Sequence, residues 1–122
     1  MNIENFWNDI ITQNRQSLFS YFFNDAIIRW HCTNEEFTVK EYIKVNCDYP
    51  GTWHGEIEKL FELDSKIILI GKVQSDDKKI SCHVTSIITL CDDKIIEMDE
   101  YWADDGDVPN WRKELGIGKP IL

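Results

Sequence analysis

Apolar residues recur every three or four positions through the first 23 residues of the chain. These positions are Ile3, Phe6, Trp7, Ile10, Ile11, Leu18, Phe19, Phe22 and Phe23. Such spacing puts the apolar side chains on one face of an α-helix. The polar run from Asn14 to Gln16 interrupts the pattern. We therefore predict one helix followed by a second, shorter one.

Alternation of apolar and polar residues predicts five strands farther along the chain. Residues 26–32 alternate and are rich in β-forming residues, so they form the first predicted strand. The other four follow one another as an antiparallel meander joined by short Asp-containing turns. They cover residues 53–63, 66–75, 79–90 and 94–103.

A third helix is predicted between the first strand and the meander. Residues 34–37 are expected to be a connector. Thr38 followed by Glu41 has the spacing of a capping box, which predicts a helix from this point to about Asp48. The pair Pro50-Gly51 ends it with a turn.

The order of elements is helix, helix, strand, helix and four antiparallel strands. This order predicts one α+β domain over residues 1–122, with the helices on one face of the sheet. Residues 104–122 are rich in Asp, Gly and Pro and are expected to form an ordered C-terminal tail.

The last predicted strand sorts its side chains onto two faces. Ile96, Met98, Glu100 and Trp102 share one face, and Ile95, Glu97, Asp99 and Tyr101 share the other. The first face is apolar except for Glu100. This carboxyl is a candidate general acid or base, because burial disfavours its ionised form. A salt bridge from Glu100 to Lys59 or Arg112 is the alternative.

The same alternation predicts a pocket lined by tryptophan. Its lining residues are Trp30, Trp53, Ser86, Met98 and Trp102, and Tyr42 of the third helix could add a hydroxyl. On the second strand we expect residues 53, 55, 57, 59, 61 and 63 to face this pocket. Three tryptophans with Glu100 could form an aromatic cage for an ammonium group. The alternative is that they fill the core.

The composition of the chain limits the classes of molecule that it is expected to bind. Lys and Arg number 13 against 22 Asp and Glu, for a net charge of −9. This balance disfavours nucleic acid and anionic membranes, both of which attract clustered positive charge. No segment approaches the ~20 apolar residues that span a bilayer, and no signal peptide is recognisable.

Cysteine and histidine usage argues against disulfides and metals. Four widely spaced cysteines without a C-x-x-C pair predict free thiols in a cytoplasmic protein, and a secreted protein with two disulfides is the alternative. His31, His54 and His83 all fall opposite the pocket face and lack metal-binding spacing. We predict no metal site and no cofactor.

The order of elements resembles that of the nuclear transport factor 2-like (NTF2-like) superfamily over residues 1 to about 103. Residues 25–28 (Asp-Ala-Ile-Ile) enter the first strand, and residues 94–96 (Lys-Ile-Ile) enter the last, in a similar way. The chain looks closest to the ketosteroid isomerase-like and SnoaL-like branches. The resemblance implies a cone, with a curved sheet around the N-terminal helices and a pocket at the wide end. It also implies a homodimer through the outer sheet face, where we expect Ile87, Ile95 and Tyr101.

The resemblance extends to residues that line the pocket of the isomerases but not to the residues that catalyse their reaction. Met98 and Trp102 match the Met-x-x-x-Trp motif that lines the pocket of the isomerases. Trp30 stands at the position of their general base, and Ser86 at that of their second Asp. Phe6 or Trp7 stands near their first-helix tyrosine. The isomerase catalytic residues are therefore not matched.

Three hypotheses follow. The first is a protein that binds a small lipophilic or cationic molecule in the tryptophan-lined pocket. The second is a cofactor-independent SnoaL-like enzyme, such as an isomerase, cyclase, lyase or epoxide hydrolase, with Glu100 as its acid or base. The third is a protein-interaction module that uses the outer sheet face.

Overall fold

The computed structural model describes residues 1–122 and contains four α-helices and six β-strands. The helices are α1 (Ile3–Ile11), α2 (Arg15–Phe19), α3 (Val39–Asp48) and α4 (Asn110–Lys113). The strands are β1 (Phe22–Trp30), β2 (Glu35–Thr38), β3 (Trp53–Glu62), β4 (Lys66–Ser75), β5 (Ser81–Cys91) and β6 (Lys94–Asp104). A 3-10 turn, His31–Thr33, joins β1 to β2.

The strands form one mixed sheet in the order β2-β1-β6-β5-β4-β3. Only β1 and β6 are parallel, and all other neighbours are antiparallel. The predicted α+β class and the meander are confirmed. Two local predictions were wrong: the first strand begins at Phe22 instead of residue 26, and part of the expected connector 34–37 is strand β2. Strand β2 gave no alternating signal in the sequence, because only Phe37 is buried and its other three residues are polar and exposed.

The third helix begins as its capping box predicts. Thr38 Oγ1 accepts a hydrogen bond of 3.2 Å from the Glu41 amide, and Glu41 Oε1 accepts one of 2.9 Å from the Thr38 amide. Two backbone donors at the start of α3 are thereby satisfied. The helix buries Val39, Tyr42 and Ile43 against the sheet.

A bulge in β3 changes which residues of this strand face the helices. Ile57 pairs with Gly71 but Lys59 pairs with Ile70, so Glu58 is an extra residue. One extra residue reverses the alternation beyond it. The expectation that positions 59, 61 and 63 face inward was therefore wrong: the Phe61 side chain is 51% exposed, and Leu60 packs on the core instead.

A second bulge, in β6, has a similar effect. Thr89 pairs with Glu97 and Leu90 with Ile95, which leaves Ile96 as the extra residue. Ile95 is fully buried and Ile96 is exposed, the reverse of the predicted faces. From Glu97 onward the predicted alternation holds, because no further bulge follows.

Helix α1 approaches the sheet closely at two glycines. A Cβ at Gly71 would lie 2.4 Å from Cη2 of Trp7, and a Cβ at Gly55 would lie 2.6 Å from Cγ1 of Ile11. The Trp7 ring therefore occupies the space that a side chain on β4 would need. The absence of two side chains on adjacent strands lets α1 pack against the backbone of the sheet.

The segment after β6 lies mostly in solvent. It includes α4, and the Trp111 side chain is 62% exposed with the Arg112 guanidinium 5.4 Å from its ring centroid. All four cysteines are free thiols. None of the four helices has the length and apolar character needed to cross a lipid bilayer.

Candidate functional site

Three residues on neighbouring strands form a row across the concave side of the sheet. Glu100 on β6 pairs in register with Trp30 on β1 and with Ser86 on β5. Trp30 Nε1 donates a hydrogen bond of 3.1 Å to Glu100 Oε1, and Ser86 Oγ donates one to Glu100 Oε2. Both carboxylate oxygens are therefore bound by cross-strand neighbours.

Glu100 is almost inaccessible, with 3% of its surface exposed. This burial raises the pKa of its carboxyl, because the ionised form loses its hydration. The hydrogen bonds from Ser86 and Trp30 act in the opposite direction, since they stabilise the carboxylate. The buried Trp102 N–H also favours the ionised form, although it makes no hydrogen bond of normal geometry.

Tyr42 and Met98 belong to the same buried layer. Both side chains are almost completely buried. Burial raises the pKa of Tyr42 well above its usual value, and the charge of Glu100 raises it further. The Tyr42 ring lies edge-on to Trp30, with ring centroids 6.3 Å apart.

A cavity of about 460 Å³ opens beside this layer. Its lining is mostly apolar and includes four aromatic side chains. Its lining residues are Ile10, Ile11, Gln13, Trp30, Cys32, Thr33, Asn46, Tyr49, Trp53, Val73, Ile80, Cys82, Trp102 and Asp104. The aromatic residues form two edge-to-face pairs: Trp30 with Trp102 at 6.4 Å, and Tyr49 with Trp53 at 5.2 Å.

The ends of α1 and α3 are fixed to each other at the cavity wall. Gln13 Nε2 donates to the carbonyls of Asn46 at 2.9 Å and Tyr49 at 2.8 Å. Asn46 Nδ2 in turn donates to the Ile10 carbonyl at 3.1 Å. The bond from Gln13 satisfies the Asn46 carbonyl in the last turn of α3, and the Ile10 carbonyl also accepts a hydrogen bond of 3.2 Å from the Gln13 amide. These hydrogen bonds also hold Tyr49 beside Trp53.

The charge of the lining is negative. Asp104, at the end of β6, is its only ionisable carboxylate, and no Lys, Arg or His contributes to it. Cys82 pairs with Asp104 across the sheet, and burial together with the charges of Asp104 and Asp105 raises the pKa of its thiol to about 11. The thiol is therefore protonated near neutral pH, and its reactivity is low.

The structure brings the sequence-derived site residues together in two layers. Trp30, Trp53 and Trp102 line the cavity. The other four lie behind it in the buried layer: Tyr42, Ser86, Met98 and Glu100. Glu100 is bonded to neither Lys59 nor Arg112; its partners are Trp30 and Ser86.

Sequence reasoning missed several lining residues. Asp104 could have been found by extending the alternation of β6 two residues beyond Trp102. Tyr49 and Gln13 follow the ends of helices, where no periodic signal exists. No group of three or more His, Cys, Asp and Glu side chains converges as a metal site would require.

The fold is that of NTF2-like proteins. A candidate ketosteroid isomerase from Kribbella flavida superposes with a TM-score of 0.80 at 14% identity, over 97% of this chain and 87% of that one. A protein with a ketosteroid isomerase-like fold from Catenulispora acidiphila, in complex with trimethylamine, gives a TM-score of 0.70 at 13% identity, over 82% of this chain and 84% of that one. A candidate SnoaL-like polyketide cyclase from Shewanella putrefaciens gives 0.67 at 11% identity, over 80% and 75%.

These similarities establish the NTF2-like α+β cone that the sequence resembles. No protein-family model and no curated protein matches the chain. At such low identities the likeness concerns the fold, and activity must be argued from the residues of this chain.

Proposed function

We propose that this protein binds a small lipophilic or cationic molecule in the tryptophan-lined cavity. The observation that carries the proposal is the cavity itself, about 460 Å³ with 10 apolar residues among its 14 lining residues. Ligand sites have this size and this mixture of apolar walls with few polar groups. The Catenulispora acidiphila protein was solved with trimethylamine, so a protein of this fold can hold a small amine.

A thermal-shift screen of the purified chain tests this proposal. The panel contains amines, quaternary ammonium compounds, steroids, phenols and epoxides. A ligand at 100 times its Kd adds about 2.7 kcal/mol to the free energy of unfolding, which raises Tm by several degrees. We expect at least one class to raise Tm, and a silent panel would contradict the proposal.

A matched pair of variants tests whether a compound that raises Tm binds in the cavity. Ile80 is half-exposed and lines the cavity, whereas Ile121 is fully exposed and lies outside it. Ile80→Trp should fill part of the cavity and abolish the Tm shift. Ile121→Trp adds the same ring elsewhere and should leave the shift unchanged. A shift that survives both substitutions would mean that the ligand binds at another surface.

An enzyme of the SnoaL-like kind is the second candidate. The specific observation is that Glu100 is a buried carboxyl with a raised pKa, as a general acid or base requires. Tyr42 or Ser86 would assist it. Mass spectrometry of screened compounds after incubation tests for turnover, and Glu100→Gln should abolish it while circular dichroism shows an intact fold.

A homodimer or protein partner at the outer sheet face is the third candidate. Tyr101 is 43% exposed there, stacked on the His31 ring at 4.5 Å, and Ile27 is also exposed. Exposed large apolar groups on one face are typical of interfaces. Sedimentation should show an associated species that Tyr101→Ala weakens. Trp111→Ala, which removes an exposed ring from the tail, should leave association unchanged; a monomer at all concentrations would refute a homodimer.

A further inference from the structure

The cavity lining contains one carboxylate and no basic side chain, and the inference drawn from it rests on the proposed ligand-binding function. We propose that it selects an organic ammonium ion over a neutral molecule of the same shape. Asp104 would attract the cation directly, and Glu100 would act as a positioning residue through the hydrogen bond from Trp30. The ligand class is therefore small amines or quaternary ammonium compounds with apolar substituents.

The first support is that Trp30 and Trp102 present ring carbons, and not their N–H groups, to the cavity. Trp30 uses its N–H on Glu100, and the Trp102 N–H is buried without a partner. Both residues nevertheless line the cavity. Their polar atoms are therefore directed away from any ligand, which meets ring carbon instead. Indole rings attract cations through the negative charge of their π-faces, and tryptophan does so more strongly than tyrosine or phenylalanine.

The second support is the pairing of Trp30 with a carboxyl. A carboxylate that accepts a hydrogen bond from the indole N–H holds the ring in place and increases electron density in its π system. The fixed ring serves a cation and a neutral ligand alike, whereas the added electron density strengthens attraction to a cation only. The Glu100 end of this contact is buried, where electrostatic effects are weakly screened, and the Trp30 end lines the cavity.

The third support is the sign of the charge along the lining. Asp104 provides a negative charge at the cavity, and no basic side chain is among the lining residues. A neutral lipophilic ligand would gain nothing from this arrangement, and an anion would be repelled. Four aromatic side chains and one carboxylate around an apolar space match the needs of an alkylated ammonium group.

Choline and its neutral carbon isostere, 3,3-dimethylbutan-1-ol, test the inference by titration calorimetry. The two probes have the same shape and differ in one positive charge. We expect choline to bind at least about tenfold more tightly, as one or two cation–π contacts would produce. Asp104→Asn and Glu100→Gln should each reduce this ratio several-fold, with little change for the neutral probe. Glu62→Gln, at the opposite end of β3 from Trp53, is the matched control and should keep the ratio.

The outcomes separate this inference from the proposed function. Equal affinity for both probes, or a panel hit that is neutral while choline fails to bind, would overturn the ammonium preference but keep a ligand-binding cavity. Failure of every compound would overturn both. A ratio that persists in both variants would refute the roles given to Asp104 and Glu100. Asp104 is exposed, so Asp104→Asn decides the question even if Glu100→Gln fails to fold.

Discussion

Trp30 and Glu100 are direct neighbours on the parallel strands β1 and β6, joined by a 3.1 Å hydrogen bond from the indole nitrogen to Oε1. Ser86 occupies the corresponding place on the other side of Glu100. The resemblance of the sequence leads us to expect Trp30 and Ser86 at the positions where the isomerases carry their acids. In this chain both are hydrogen-bond donors, and the single carboxyl stands on the strand between them. The acid is therefore a central member of the row, bound from both sides.

The stability of the protein should depend on pH through Glu100. Burial raises its pKa above the ordinary value of 4.5, so the folded chain binds this proton more tightly than the unfolded chain. The free energy of unfolding should therefore fall as pH rises above 4.5 and level off beyond the folded pKa. A tenfold difference in proton affinity between the folded and unfolded chains corresponds to about 1.4 kcal/mol. Urea unfolding of the wild type and of Glu100→Gln at several pH values measures this effect.

The advantage of the wild type over Glu100→Gln should be largest at acid pH and shrink as pH rises. Glu62→Gln removes an exposed carboxyl and should show no such trend. A difference between wild type and Glu100→Gln that stays constant from about pH 4 to pH 7 would show that folding does not raise the pKa of Glu100.

Gly71→Ala should destabilise the fold. The new methyl group would lie 2.4 Å from the Trp7 ring, so α1 must move or Trp7 must leave its rotamer. Overpacking of this kind costs about 1–3 kcal/mol. Gly106→Ala is the control, since nothing lies within 4 Å of its Cβ position. Equal Tm values for the two variants would show that Trp7 does not pack against Gly71.

Thr38→Ala should reduce the free energy of unfolding by about 0.5–2 kcal/mol, because the Glu41 amide loses its capping partner. Thr38→Ser retains the hydroxyl and should preserve most of the stability. Chemical denaturation compares the three proteins. Equal losses in both variants would indicate that the Thr38 methyl, and not its hydroxyl, stabilises the start of α3.

Tyr21 should ionise late in an alkaline titration. Burial and the 2.6 Å hydrogen bond to Asp9 raise its pKa from 10.0 to about 12. Because the folded chain retains this proton, stability should decline as pH rises from about 10 to about 12. Asp9→Asn should lower the pKa of Tyr21, which ultraviolet difference spectra report, with Tyr21→Phe identifying the signal. An unchanged titration in Asp9→Asn would refute the contribution of Asp9.

Periodic patterns predicted the parts of the fold that are regular. The helix at residues 3–11, the Thr38 cap and the facing of Met98, Glu100 and Trp102 all follow from spacing and hydrogen-bonding chemistry. The alternation predicted the wrong faces after Glu58 in β3 and before Glu97 in β6. Each of these strands contains a bulge, and the apolar or polar character of the extra residue does not reveal it.

Only part of the site could be predicted from the sequence, because some of its residues are positioned by tertiary packing. The tryptophans that line the cavity stand near strand ends, where alternation still applies. Gln13 and Tyr49 take their places through hydrogen bonds between distant helix ends, and these depend on tertiary packing. The division between a lining layer and the buried layer of Glu100 depends on how the aromatic rings pack, which alternation does not specify.

The row that joins Trp30, Glu100 and Ser86 contains one carboxyl, that of Glu100. An aspartate in place of Ser86 would put two carboxyls next to each other in the buried layer, where both cannot ionise together. Such a pair would share one proton and titrate as a unit, with one proton lost at low pH and the other at high pH. Substitution of Ser86 by Asp would thus convert a structural acid into a proton-sharing dyad.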